Sequence, residues 1–232
     1  MQLKEQIEVI AFDADDTLWE NEPYFRQADA RLCKILAEYG DEKSAAEFIF
    51  QTEMANMPDY GYGAVAFTMS LIESAIKYSK GKISANEIGD IIESGRKLVR
   101  LSGKPLPGVR ETLETLHTER AYQLVVFTKG ELLTQENKLK RSGLLPLFDR
   151  VFITTDKQPE DYRKVCREMG IAPEALLMVG NSLKSDIQPA LEVGAWAAHI
   201  PYEVMWQHEI IDHFEHPRMI QLVTFSDLLK FV

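Results

Sequence analysis

The stretch Val9-Ile10-Ala11-Phe12-Asp13-Ala14-Asp15-Asp16-Thr17-Leu18-Trp19 passes from an unbroken apolar run to three carboxylates within four positions. Such a run reads as a buried strand, and a continuing strand would not place three like charges there. The charges therefore mark a strand end that serves as a site. In an open parallel sheet, ligands gather outside the carboxyl ends of the strands, and the pleat sends Asp13 and Asp15 to the same side of the chain. Two aligned carboxylates at such an end can divide labour, one as nucleophile and one as general acid/base.

Outward from this stretch, Phe25, Ala28, Leu32, Ile35, Leu36 and Tyr39 repeat at helical spacing, and Gly40 reads as a stop. Residues 43–56, 64–78 and 85–101 are each amphipathic, with Ser84 and Glu87 spaced as a capping box. Four helices without an intervening strand form a small bundle inserted between the first and second strands of the sheet. Within it, Pro58-Asp59-Tyr60-Gly61-Tyr62-Gly63-Ala64 breaks the helical pattern, and its two tyrosines offer stacking faces and hydroxyls to an organic group. Trp19, at the start of the excursion, joins Tyr60 and Tyr62 as a candidate substrate-specificity residue.

Pro107 fits the start of a helix running to His117, and residues 122–127 read as a second buried strand ending at Thr128-Lys129-Gly130. A helix over 131–142, a stop at Gly143 and a strand over 150–154 complete a right-handed crossover. Further strands are expected at 176–180, 196–200 and 219–223, with a terminal helix from Ser226. The segment Pro201–Glu209 is an aromatic, acidic loop on the expected site side. His199, His208, His213 and His216 match no zinc-ligand spacing and read as part of a polar loop.

Phe12-Asp13-Ala14-Asp15-Asp16-Thr17-Leu18 resembles the first motif of the haloacid dehalogenase superfamily in its phosphatase form, Asp-x-Asp-x-Thr after a hydrophobic strand. Thr128 stands where that family carries its second motif, and Lys157 stands where it carries its third. Asn181 to Asp186 resembles the fourth, Gly-Asp-x-x-x-x-Asp, with Asn181 replacing the first acid. The resemblance covers essentially the whole chain and implies an α/β fold: a doubly wound parallel, Rossmann-like sheet from residues 1–19 and 102–232, with residues 20–101 as a helical cap that closes over the site.

The resemblance further implies a Mg²⁺-dependent phosphatase acting on a small organic monoester. Asp13 would attack phosphorus and Asp15 would serve as acid and base. Thr128, Lys129 and Lys157 would hold the phosphoryl oxygens. Mg²⁺ would be bound by Asp13, the carbonyl of Asp15, Asp186 and, with an amide in place of a carboxylate, Asn181. The second Asp argues against dehalogenase chemistry. A sugar-phosphate mutase, a phosphonatase and a binding module with a decayed site remain alternatives.

Composition narrows the partners. Twenty-six Lys and Arg stand against 36 Asp and Glu, a formal net charge of -10, so a broad basic face for nucleic acid or an anionic membrane is not expected. Cys33 and Cys166 are far apart and read as core residues. No signal-peptide pattern and no apolar run of roughly 20 residues is seen, and the expectation is a cytoplasmic protein with a small phosphorylated substrate.

Overall fold

The computed structural model describes residues 3–232. It holds six parallel strands in the order β3-β2-β1-β4-β5-β6: β1 Val9–Phe12, β2 Gln123–Lys129, β3 Arg150–Thr154, β4 Leu176–Gly180, β5 Trp196–His199 and β6 Met219–Gln221. This is a doubly wound, Rossmann-like sheet whose strand order reverses at β1. β1 pairs with β2 on one side and β4 on the other, so Phe12 lies in register with Val126 and Val179. The chain end of β1 thus opens at the point where crossovers leave in opposite directions, the crevice where such sheets bind ligands.

The sheet's alternation explains its two cores. Ile10, Phe12, Leu124, Val126, Leu177 and Val179 face one layer, with α5 (Val109–Glu119), Leu139 of α6 (Leu132–Ser142), Phe225 and Leu228. Val9, Ala11, Val125, Phe127, Leu176 and Met178 face the other, with Tyr162, Val165 and Cys166 of α7 (Pro159–Met169) and Ala190 and Leu191 of α8 (Gln188–Glu192). Period-two side chains covered on both faces account for strands that read as continuous apolar runs.

The chain divides into two compact units, one holding the chain up to Glu22 and Ser102–Val232, the other Pro23–Leu101. The first boundary falls after Glu22 rather than after Trp19. Asp16, at φ 63°, accepts hydrogen bonds from the backbone N–H groups of Asn21 and Glu22, which fastens this turn to the sheet unit.

The second unit consists of α1 (Glu22–Leu36, from Pro23 onward), α2 (Glu42–Tyr60), α3 (Ala64–Tyr78) and α4 (Ala85–Val99) around Leu32, Leu36, Ile49, Phe67, Leu71, Ile91 and Leu98. Asp41 caps α2, and Ser84 with Glu87 forms the expected capping box on α4. Pro58 does not interrupt α2, which runs through it to Tyr60. A proline in the last turn forfeits one bond, and the helix ends instead at Gly61, whose φ of 70° suits glycine.

Smaller departures occur elsewhere. α1 stops at Leu36, ahead of Gly40. Left-handed Gly108, not Pro107, caps α5. β2 extends through Thr128 and Lys129, because both continue the ladder with β3. β6 closes the sheet edge and ends at Gln221, and residues Phe225–Lys230 are a 3₁₀ rather than an α-helix. Among the described residues no helix is long and apolar enough to cross a membrane.

Candidate active site

Asp13 follows β1 directly, and its N–H still donates to Val179 O of β4 at 2.9 Å, so the ladder itself fixes the backbone beneath the carboxylate. Lys157, in the turn between β3 and α7, brings Nζ to 2.5 Å from Asp13 Oδ1 and 2.7 Å from Asp186 Oδ1. All three residues are buried. Burial and the neighbouring Asp186 carboxylate push the Asp13 carboxyl up to about 7, against the pull of Lys157. Burial alone would lower the Lys157 ammonium, but Asp13 and Asp186 outweigh it and hold it above its ordinary value. Asp13 and Asp186 share one ammonium, and the Asp186 carboxylate opposes ionisation of Asp13.

Asp186 owes its place to a π-helical turn, Leu183–Ile187, capped by the Ser182 side chain on Ser185 N–H. Ser182 N–H donates to Asp186 Oδ2, and the Tyr162 hydroxyl donates to the carbonyls of Ser185 and Asp186. π-turns of this kind recur at functional sites. The Thr17 hydroxyl lies 3.1 Å from both Asp13 Oδ2 and Asn181 Oδ1, and Asn181 N–H donates to it in turn. The four residues Asp13, Thr17, Asn181 and Asp186 therefore surround one end of the β1–β4 crevice.

Asp15 stands on a second cluster. The Trp19 indole N–H and the Lys138 ammonium both reach its Oδ1, at 2.7 and 2.5 Å, while Gln135 Nε2 donates to Oδ2 at 3.0 Å. Gln135 also spans to Thr128 Oγ1 and Lys129 O. Trp19 is fully buried in the sheet unit's core. It is therefore no substrate-contact surface: its ring is committed to packing and its one donor to Asp15.

Lys129 continues β2, and its ammonium pairs with Glu209, donates to Ser185 Oγ and lies over the Trp206 ring. Burial alone would raise the Glu209 carboxyl; Lys129, Ser182 and Ser185 outweigh it and hold it at about 2. The side chain of Lys129 is thus engaged within the protein, and its backbone is engaged too, in the ladder with β3 and with Gln135 Nε2.

Tyr60 and Tyr62 lie in the other unit, at the end of α2 and between Gly61 and Gly63. His199 belongs to β5 rather than to a loop; it is buried, with Nδ1 facing Gln221 Oε1 and Nε2 facing Asn181 O.

Gln135 and Lys138 are site residues that the sequence did not disclose, and Glu209 was read only as the end of an acidic loop on the site side, without its partners. A trace exists for the first two. α6 exposes Leu132 and Leu133 and buries Gln135 and Lys138, an inversion of ordinary amphipathicity.

The side-chain groups beside Asp13 that could hold a cation are all oxygens: its own carboxylate, that of Asp186 and the amide oxygen of Asn181. Among the described residues no three His, Cys, Asp or Glu side chains converge as a complete cage. An oxygen set with few carboxylates, completed by water, fits a hard, well-hydrated cation such as Mg²⁺ better than a thiophilic metal. The mutual repulsion of Asp13 and Asp186 is relieved by such a charge.

The chain matches the haloacid dehalogenase-like hydrolase family over residues 7–194 and belongs to it. It is an enzyme, of the hydrolase class. A haloacid dehalogenase-like family hydrolase from Xanthomonas campestris superposes with a TM-score of 0.86 at 35% identity, over 98% of this chain and 91% of that one. Pyrimidine 5'-nucleotidase PynA of Streptococcus pneumoniae is 30% identical over 135 residues, which span 55% of this chain and 54% of the relative. The glyceraldehyde 3-phosphate phosphatase of Methanocaldococcus jannaschii is 28% identical over 221 residues, 89% of this chain and 92% of that protein.

Proposed function

We propose that the chain is a phosphatase that hydrolyses a small organic phosphate monoester through an aspartyl-phosphate on Asp13. The observation that carries this reading is the buried Asp13–Lys157–Asp186 cluster at the carboxyl end of β1, with Asp15 two residues on and Thr128 at the end of β2. In the first step an Asp13 oxygen bonds to phosphorus, the bond from phosphorus to the ester oxygen breaks, and Asp15 gives its proton to the departing oxygen. In the second, water bonds to phosphorus, the Asp13–phosphorus bond breaks, and the water proton passes to Asp15. Lys157, the Thr128 hydroxyl and the backbone N–H groups beyond β2 stabilise the phosphoryl oxygens. Asp13, the Asp15 carbonyl, Asp186 and Asn181 would hold Mg²⁺, which would supply positive charge to offset repulsion between carboxylate and substrate.

The relatives named above act on a nucleotide and on a three-carbon sugar phosphate, which share the phosphate monoester and little else. Residues 23–101 are proposed as the cap that selects the alcohol, with Tyr60 and Tyr62 as its contacts. The test is phosphate release from p-nitrophenyl phosphate and a panel of phosphorylated metabolites, with Mg²⁺ or with chelator, by the parent and by Asp13→Asn. The reading expects metal-dependent turnover that vanishes in a folded Asp13→Asn protein. Turnover that survives that change removes Asp13 as nucleophile.

A further inference from the structure

The phosphatase reading gives Asp15 a proton to deliver but leaves open what aims it. We propose that Lys138 and Gln135, one helical turn apart on α6, are positioning residues that fix the Asp15 carboxyl in the orientation from which it protonates the leaving oxygen. This inference rests on the proposed function above.

Two separate oxygens of one carboxyl are held from α6. Lys138 Nζ takes Oδ1 at 2.5 Å and Gln135 Nε2 takes Oδ2 at 3.0 Å, so neither side-chain torsion of Asp15 is free. The Asp15 side chain is 26% exposed and that of Lys138 only 4%, so the clamp grips from the protein side and leaves the carboxyl facing outward. Gln135 joins this grip to the phosphate end of the crevice, since the same Nε2 lies 3.0 Å from Thr128 Oγ1. Asp15 Oδ2 and the carbonyl of Lys129 are acceptors, which sets the amide with nitrogen toward them. Gln135 Oε1 is then buried with no partner among the described residues.

Packing does not explain this arrangement. α6 exposes Leu132 and Leu133 at 62% and 70% while turning an amide and an ammonium inward. Burying such groups costs stability that an apolar stripe would not cost, and a buried ion pair is weak support for a fold. Their common object is Asp15, and a general acid works only within hydrogen-bond reach of the atom it protonates.

The consequence is specific to the leaving group. When the phosphorus–ester oxygen bond breaks and the Asp13–phosphorus bond forms, an alkyl oxygen needs the Asp15 proton to depart. p-Nitrophenolate departs as a stabilised anion. The parameter kcat/KM runs only through this first transfer, so the later use of Asp15 toward water does not blur the comparison.

The experiment measures kcat/KM with saturating Mg²⁺ for p-nitrophenyl phosphate and for the best alkyl monoester of the panel, in the parent, Asp15→Asn, Lys138→Met and Gln135→Met, with unfolding temperatures for each. Asp15→Asn sets the full differential. Lys138→Met and Gln135→Met are each expected to lower the alkyl ester about tenfold or more beyond the aryl ester, part of what general acid catalysis contributes. Equal losses on both esters, or no loss, overturn the inference and leave the phosphatase reading standing. A parent without turnover, or turnover indifferent to Asp13→Asn, overturns that reading and this inference together. Should Lys138→Met fail to fold, the near-isosteric Gln135→Met decides alone.

Discussion

A Cβ atom added to Gly180 would stand 2.3 Å from Oδ2 of Asp186 and 2.6 Å from its Cβ. The last residue of β4 must therefore be glycine for the carboxylate to rest where Lys157 and Ser182 N–H hold it. Retreat of the carboxyl end alone would not relieve a clash that reaches Asp186 Cβ. Gly180→Ala is expected to fold, since Gly180 carries no positive φ, and to lose about 100-fold or more in kcat/KM, in the range of a lost electrostatic contact at a reacting phosphoryl group. Activity within a few-fold of the parent would show that Asp186 is not needed where it stands.

Asn181 bears on the cation. Its amide oxygen meets the Thr17 hydroxyl at 3.1 Å, beside Asp13. Asn181→Asp adds a negative oxygen to the proposed donor set, and ligand charge tunes affinity for hard cations. Mg²⁺ binding by calorimetry is expected to tighten by about tenfold. An unchanged or weaker affinity places residue 181 outside the donor set.

Glu209 gives a pH dependence of stability. Its folded carboxyl lies at about 2, below the ordinary glutamate value, so its contribution is present in full above about pH 5 and is lost as pH falls toward 2. Glu209→Gln is expected to cost up to about 3 kcal/mol at pH 7. The deficit should shrink steadily in urea titrations run at pH 5, 4 and 3. A deficit that stays constant with pH would assign the loss to packing rather than to the pairing with Lys129.

In the four-helix unit, the Ser84 hydroxyl accepts from Glu87 N–H, and Glu87 in turn accepts from Ser84 N–H and the Tyr39 hydroxyl. Ser84→Ala removes one half of this box at a cost of about 1 kcal/mol. Thermal unfolding should shift down by about 2–4 °C with kinetics unaltered, given a chain of this size.

The sheet was legible because each strand is an apolar run with an abrupt end, and the runs at 150–154 and 176–180 emerged with those bounds. Asp13 was legible from the abrupt end of its strand, whereas Lys157 and Asp186 were legible only through the resemblance of their surroundings to the family's motifs, and folding brings the three together. Helix α6 defeated the same logic. Its apolar residues at 132 and 133 are outside, and its inward face is defined by a partner, Asp15, 120 and more positions away in the chain. Glu209 was hidden for a similar reason: an acid in an irregular loop has no period, and only folding brings Lys129, Ser182 and Ser185 to it. Trp19 misled because an aromatic residue beside a catalytic motif reads as a ligand surface until its ring is seen inside the core.

The bridge between Trp19 and Pro105, with Leu106 N–H donating to Leu18 O at 2.9 Å, joins the two places where the chain leaves the sheet unit and returns to it. Asn21 and Gly103 both approach Lys138, one through its ammonium at 3.0 Å and the other against its carbonyl. The 79 residues from Pro23 to Leu101 are consequently a detour whose ends are already stitched together. Such a detour can be lengthened, swapped or replaced in descent without shifting the register of β1 against β2, since closing a longer loop adds little entropic cost. On the proposed reading, residues 23–101 could therefore be altered to accept a different alcohol while the Asp13–Lys157–Asp186 cluster of the sheet unit is left as it is.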